Sequence, residues 1–127
     1  MSESIELTPV PASVALARRW SSDVVARAGA TEVADTMALL VSELVSNVVL
    51  HARTTCSLSI ESSDDRIRVE VQDGSDRLPG GSEEPDPLGQ SGRGMLLVHG
   101  LSSACGVVPD PDGGKRVWFE LDLREKG

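Results

Sequence analysis

Glu43, Asn47 and His51 stand four residues apart in the stretch Leu39-Leu40-Val41-Ser42-Glu43-Leu44-Val45-Ser46-Asn47-Val48-Val49-Leu50-His51-Ala52. On a helix they would form one polar stripe. At about 100° per residue, Leu40, Val41, Leu44, Val45, Val48 and Ala52 spread over roughly half the circumference, and the stripe borders that apolar arc. A carboxylate and a carboxamide one turn apart at the rim of a core can hold a hydrated Mg²⁺ and a water against a bound phosphate. An amphipathic helix with polar flanks and no chemistry gives the same pattern. At a helix end, His51 also suits the role of a dipole partner.

Two further places carry related chemistry. Asp73, in Val71-Gln72-Asp73-Gly74-Ser75, closes a predicted strand, and Gly92-Arg93-Gly94 opens the apolar segment Met95-Leu96-Leu97-Val98-His99-Gly100-Leu101. Glycines at a helix start let backbone N–H groups approach phosphates, and the helix N-terminus favours negative charge. Singly, Asp-Gly is a turn signal and Gly-x-Gly a loop-to-helix junction. In this order, with Glu43 and Asn47 before them, they outline a nucleotide pocket.

The elements that must position these residues follow from periodicity. Ile5 and Leu7 alternate with polar residues over Ser4 to Thr8, which predicts a short edge strand ended by Pro9 and Pro11. From Ala12 to Ala28, residues Leu16, Ala17, Trp20, Val24, Val25 and Ala28 recur near a helical period, with Gly29 placed to stop the helix. Thr31 is placed to cap a second helix, with Glu32 in its first turn, running to about Ala52. Cys56 to Glu61 and Arg66 to Val71 alternate as a hairpin joined by Ser62-Ser63-Asp64-Asp65. A Pro-, Gly- and acid-rich stretch over about 76–91 predicts a loop, Met95 to Leu101 a third helix, and Ser103 to Val108 and Lys115 to Leu123 two last strands. This order predicts an α+β, two-layer α/β sandwich: a mixed, mostly antiparallel sheet with helices on one face.

At 127 residues the chain is read as a single domain, 1–127, able to bury a core without staples. Trp20, Trp118 and Phe119 are its only aromatics, so the core must be aliphatic, with the tryptophans as anchors. A net charge of −8 repels nucleic acid and anionic membranes over most of the surface. No run of 18 apolar residues appears and the first residues are acidic, so the chain is expected to be cytoplasmic. Cys56 and Cys105 are isolated and read as reduced, packed thiols. Leu39 and Leu50 lie opposite the main apolar arc, where they pack under the first helix or mark a partner surface.

The segments Glu43 to Ala52, Val71 to Ser75 and Gly92 to Met95 resemble the first, second and third nucleotide boxes of the Bergerat-fold ATPases. Within that superfamily the chain, from Ile5 to Leu123, is similar to the small anti-sigma-factor serine kinases. The resemblance implies ATP and Mg²⁺ as cofactors and the 76–91 loop as a lid. Glu43 is then the catalytic base, and Asn47 binds Mg²⁺ bridging the phosphates. Asp73, with Ser75 beside it, accepts a hydrogen bond from the adenine amino group, and Gly92, Arg93, Gly94 and Met95 lie along the phosphates. A sigma factor and an antagonist protein bearing the acceptor serine are the implied partners, with Arg18 at the partner contact and a homodimer compatible with the pattern. The alternative is a catalytically weak or inactive regulatory module that binds nucleotide or partners.

The sequence departs from the family pattern. The second box, usually Asp-x-Gly-x-Gly, is Asp73-Gly74-Ser75-Asp76-Arg77, and the late Gly-Thr-Thr is Gly114-Lys115-Arg116, which removes hydroxyls that help hold adenine. Gln90 stands where a basic residue often precedes the phosphate glycines, and Glu83, Glu84 and Asp86 bring negative charge to the lid. Weaker nucleotide binding than in a full-motif member is expected.

Overall fold

The fold is seen in a computed structural model that describes residues 1–75 and 97–123. The elements are β1 (Ser2–Leu7), α1 (Ala12–Arg27), a 3₁₀ turn (Thr31–Val33), α2 (Ala34–Asn47), a wide π turn (Val48–Ala52), β2 (Cys56–Ser62), β3 (Arg66–Asp73), β4 (Ala104–Pro109) and β5 (Lys115–Asp122). Residues 97–101 are helical. The strands form one sheet in the order β1-β2-β3-β5-β4, and every neighbouring pair is antiparallel. The expected α+β layering holds, with the sheet antiparallel throughout its described strands. The 76–91 loop and the start of the predicted third helix lie outside the described residues.

Strand alternation decides which face meets the helices. Cys56, Leu58 and Ile60 on β2, Ile67, Val69, Val71 and Asp73 on β3, and Lys115, Val117, Phe119 and Leu121 on β5 are buried. Their apolar members form one core with Val24 and Val25 of α1 and Met37, Leu40, Val41, Leu44 and Val45 of α2. The helical stretch Thr31–Ala52 is long and apolar enough to cross a bilayer by length and composition alone. Burial of α2's apolar arc against the sheet accounts for that composition here.

Several local expectations are corrected. On α1 the buried residues are Ser13, Ala17, Ser21, Val24 and Val25, while Leu16 is 44% exposed. Small side chains at 13, 17 and 21 let α1 lie close to its neighbours, and Leu16 falls off that narrow face. Thr31 makes no side-chain cap; the chain enters α2 through the 3₁₀ turn, with Val33 at the N-cap position. Trp118 points to the face opposite the core, where the Arg68 guanidinium lies 4.2 Å from its ring centroid. Trp20 does pack against the core. Gly29 stops α1 as expected, at φ +74°. Its N–H donates to Ala26 O and that of Ala30 to Val25 O, the paired bonds of a Schellman motif. Leu39 and Leu50 are both exposed.

Candidate functional site

Glu43 and Asn47 are half-buried on α2, at the border of its apolar arc. One residue before Glu43, Ser42 ties the helix layer together. Its hydroxyl donates to Ala38 O at 2.7 Å and accepts from Arg18 Nε at 2.9 Å. Arg18, the expected partner contact, is otherwise exposed on α1. Asn47 Nδ2 is buried and, among the described residues, has no hydrogen-bond partner. Burying an amide donor unpaired costs about 1–3 kcal/mol, so this position calls for an acceptor such as a phosphate oxygen or a water.

Immediately after Asn47 the helix widens. Arg53 N–H donates to Val48 O at 2.7 Å and Arg53 adopts φ 56°, closing the π turn. Single π turns inside helices recur at functional sites. His51 lies within this turn, half-buried, rather than on α2 itself. Three residues beyond Arg53 the chain enters β2 at Cys56, whose cross-strand partner is Asp73. The end of α2 and the end of β3 are thereby brought to one end of the sheet. There the Gly74 N–H donates to Thr54 Oγ1 at 2.9 Å.

Asp73 is not an open carboxylate. Its register partner on β5 is Lys115, and the two side chains are 3% and 7% exposed, with Nζ 3.0 Å from Oδ2. Lys115 Nζ also donates to Oδ1 at 3.1 Å and to Ser75 O at 3.3 Å. Oδ1 accepts the Ser75 N–H at 2.8 Å. Gly114, at φ +87°, permits this packing, because a Cβ there would overlap Asp73 O. Cys56 is pushed up from 9.0 to about 11, chiefly by burial and secondarily by the Asp73 charge.

Lys115 is the site residue that sequence reading missed; at 115 only a loss of hydroxyls was apparent. The usable signal is parity. Lys115 shares the alternation of Val117, Phe119 and Leu121, as Asp73 shares that of Ile67, Val69 and Val71, so each is a charge on an otherwise apolar face. Gly92, Arg93, Gly94 and Met95 lie outside the described residues, as do Gln90 and the acidic lid residues. A polar hollow of about 310 Å³ involving Arg68, Glu70, Gln72 and Arg116 lies on the opposite face of the sheet and is separate from this site.

A sheet backed by two helices, with polar groups gathered where α2 ends and β3 ends, defines the fold as that of a Bergerat-type ATP-binding domain. The chain belongs to the histidine kinase-like ATPase domain family, whose model matches residues 7–121. No curated protein matches the chain. Family membership implies ATP binding, and the described residues fit that ligand unevenly. Asn47, expected on the phosphate side, supplies an unsatisfied donor, whereas Asp73, expected on the base side, is already engaged. Among the described residues no cluster of three or more His, Cys, Asp or Glu could cage a metal. An accompanying Mg²⁺ would therefore take most of its ligands from phosphates and water, with the Asn47 side-chain oxygen as a protein donor.

Proposed function

We propose that the chain is an ATP-dependent protein serine kinase that acts as an anti-sigma factor in the cytoplasm, phosphorylating an antagonist protein and sequestering a sigma factor. The observation that carries this reading is the placement of Glu43 one helical turn before Asn47, with the Asn47 amide nitrogen buried and unsatisfied. The sequence resemblance over Ile5 to Leu123 supports the anti-sigma assignment. ATP supplies the γ-phosphoryl group. Glu43 accepts the proton of the incoming serine hydroxyl as its oxygen bonds to the γ-phosphorus, the bond from that phosphorus to the β–γ bridging oxygen breaks and ADP leaves, and Asn47 orients the phosphate end. Gly92, Arg93, Gly94 and Met95 are assigned to the phosphates on the same resemblance. Arg18, steadied by Ser42 yet exposed, is assigned to partner contact.

The test is phosphotransfer from radiolabelled ATP to antagonist proteins captured from the native cell. Label should appear on a serine with the wild type, vanish with Glu43→Ala, and leave partner capture intact. Absence of labelled protein, together with no effect of Glu43→Ala, would refute the kinase assignment. The Asp73–Lys115 pair favours a second reading, a regulatory module that holds partners and nucleotide without turnover. On that reading, calorimetry detects binding while no label is transferred.

A further inference from the structure

We infer that Lys115 blinds the base pocket: by engaging both oxygens of Asp73 it leaves the site unable to read the 6-amino group of a bound purine. The inference deepens the nucleotide reading above and rests on it. A carboxylate offers about four acceptor sites. Lys115 Nζ approaches both oxygens, at 3.1 and 3.0 Å, and the Ser75 N–H takes a further site on Oδ1. What remains is on Oδ2, and the side chain is only 3% exposed. An amino group therefore reaches Asp73 only if the ammonium leaves.

Departure is disfavoured on two counts. It would strip the partner from a buried carboxylate, a loss larger than the return from one charge-assisted hydrogen bond to a base. It would also break the bond from Nζ to Ser75 O at 3.3 Å. Replacement of one reader by another is equally disfavoured. Lys115 Nζ is held between the Asp73 carboxylate and Ser75 O and its side chain is only 7% exposed, so the ammonium is poorly placed to read the 6-carbonyl of an inosine or guanine base instead. A base held here is recognised by shape and by its phosphates. The usual penalty for a purine lacking the matched polar group, which arises when a built acceptor is left unpaired, does not apply, because Asp73 is paired whether or not a base is present.

The backbone makes the arrangement specific to this corner. Asp73 and Lys115 are direct cross-strand partners on the core face, and the glycine before Lys115 lets the two backbones meet. A threonine at 115 carries no charge and a single hydroxyl donor, so it would leave acceptor sites on Asp73 open to a ligand.

The experiment compares Mg²⁺-dependent binding of ATP, purine-riboside triphosphate and inosine triphosphate to the full chain, by calorimetry and by competition with a fluorescent triphosphate. Wild type should bind all three within about threefold. Lys115→Thr should prefer ATP over purine-riboside triphosphate by at least tenfold, about 1.4 kcal/mol. Lys115→Gln, which drops the charge but keeps a donor and most of the packing, should shift in the same direction by less. If neither variant folds, as judged by circular dichroism, the wild-type ratio decides by itself. A tenfold preference of wild type for ATP, or for inosine triphosphate, overturns the inference and leaves the nucleotide reading standing. A folded Lys115→Thr protein without preference also overturns it. Failure of every folded protein to bind any triphosphate overturns the nucleotide reading and this inference with it.

Discussion

Replacing Lys115 with Met tests whether the Asp73 pair is a buried electrostatic element or a solvated contact. With side-chain exposures of 3% and 7%, solvent screening is small, so the figure of about 0–1 kcal/mol for exposed pairs does not apply. Removing one partner of a buried pair costs about 3–5 kcal/mol, because the other charge stays desolvated and unpaired. For a chain of this size that corresponds to a drop of roughly 10–20 °C in Tm. Replacing both partners by apolar groups, Asp73→Leu with Lys115→Met, removes the stranded charge and should restore most of the stability. The double variant is then expected within about 2 kcal/mol of wild type, with a coupling energy of at least about 2 kcal/mol in the cycle. Urea denaturation followed by far-ultraviolet circular dichroism, at one pH and salt concentration, gives all four corners. Single-variant losses below about 1 kcal/mol, or a double variant whose loss equals the sum of the singles, would show that the two charges do not depend on each other. The explanation of the engaged Asp73 would then fail.

Other consequences can be read from the same corner. Gly114→Ala should cost more than Gly113→Ala: both sit at positive φ, but only at 114 does the new Cβ overlap the Asp73 carbonyl, so about 3 kcal/mol or more against about 1–2 is expected in urea melts. Asn47→Leu should leave the free protein as stable or up to about 2 kcal/mol more stable, by removing an unsatisfied donor, while Mg-ATP binding is lost; a stability loss with binding intact would reverse its assigned role. Cys56, raised to about 11 mainly by burial, should resist thiol reagents at pH 8 while Cys105 reacts. Because the unfolded thiol ionises near 9 and the folded one near 11, the Cys56 contribution to stability is complete below pH 9 and is lost as pH rises towards 11. The difference in melting between wild type and Cys56→Ala across that window isolates it.

Most of the architecture was legible because it rests on periodicity. The hairpin of β2 and β3, the edge strand before Pro9, both helices and the closing pair of strands follow from alternation and helical repeats with recognisable stops such as Gly29. Errors arose where a residue's surroundings override its type. Leu16 is apolar at helical spacing, yet the buried seam of α1 consists of Ser13, Ala17 and Ser21, whose small size permits close approach. Trp118 is large and apolar, which predicts a core position. Its position between Val117 and Phe119 puts it on the outer face, where it meets Arg68 instead. Thr31 had the right chemistry for a cap, but the chain tightens into a 3₁₀ turn before α2 begins.

The candidate site divides along the same line. Glu43 and Asn47 were visible because both lie on one helix, where spacing in sequence is spacing in space. Asp73 was visible as a strand end, but its electrostatic state was not, since that depends on a lysine 42 positions away. Only the β3–β5 register, with Val69 opposite Phe119, Val71 opposite Val117 and hence Asp73 opposite Lys115, sets the two charges on one buried face. A substitution that reads locally as the loss of a hydroxyl is therefore, in space, the arrival of a cation at the one carboxylate expected to recognise the base. The helix retains the residues that would handle phosphate while the sheet has altered those that would choose the purine, so phosphotransfer and base selectivity should be separable by mutation in this chain.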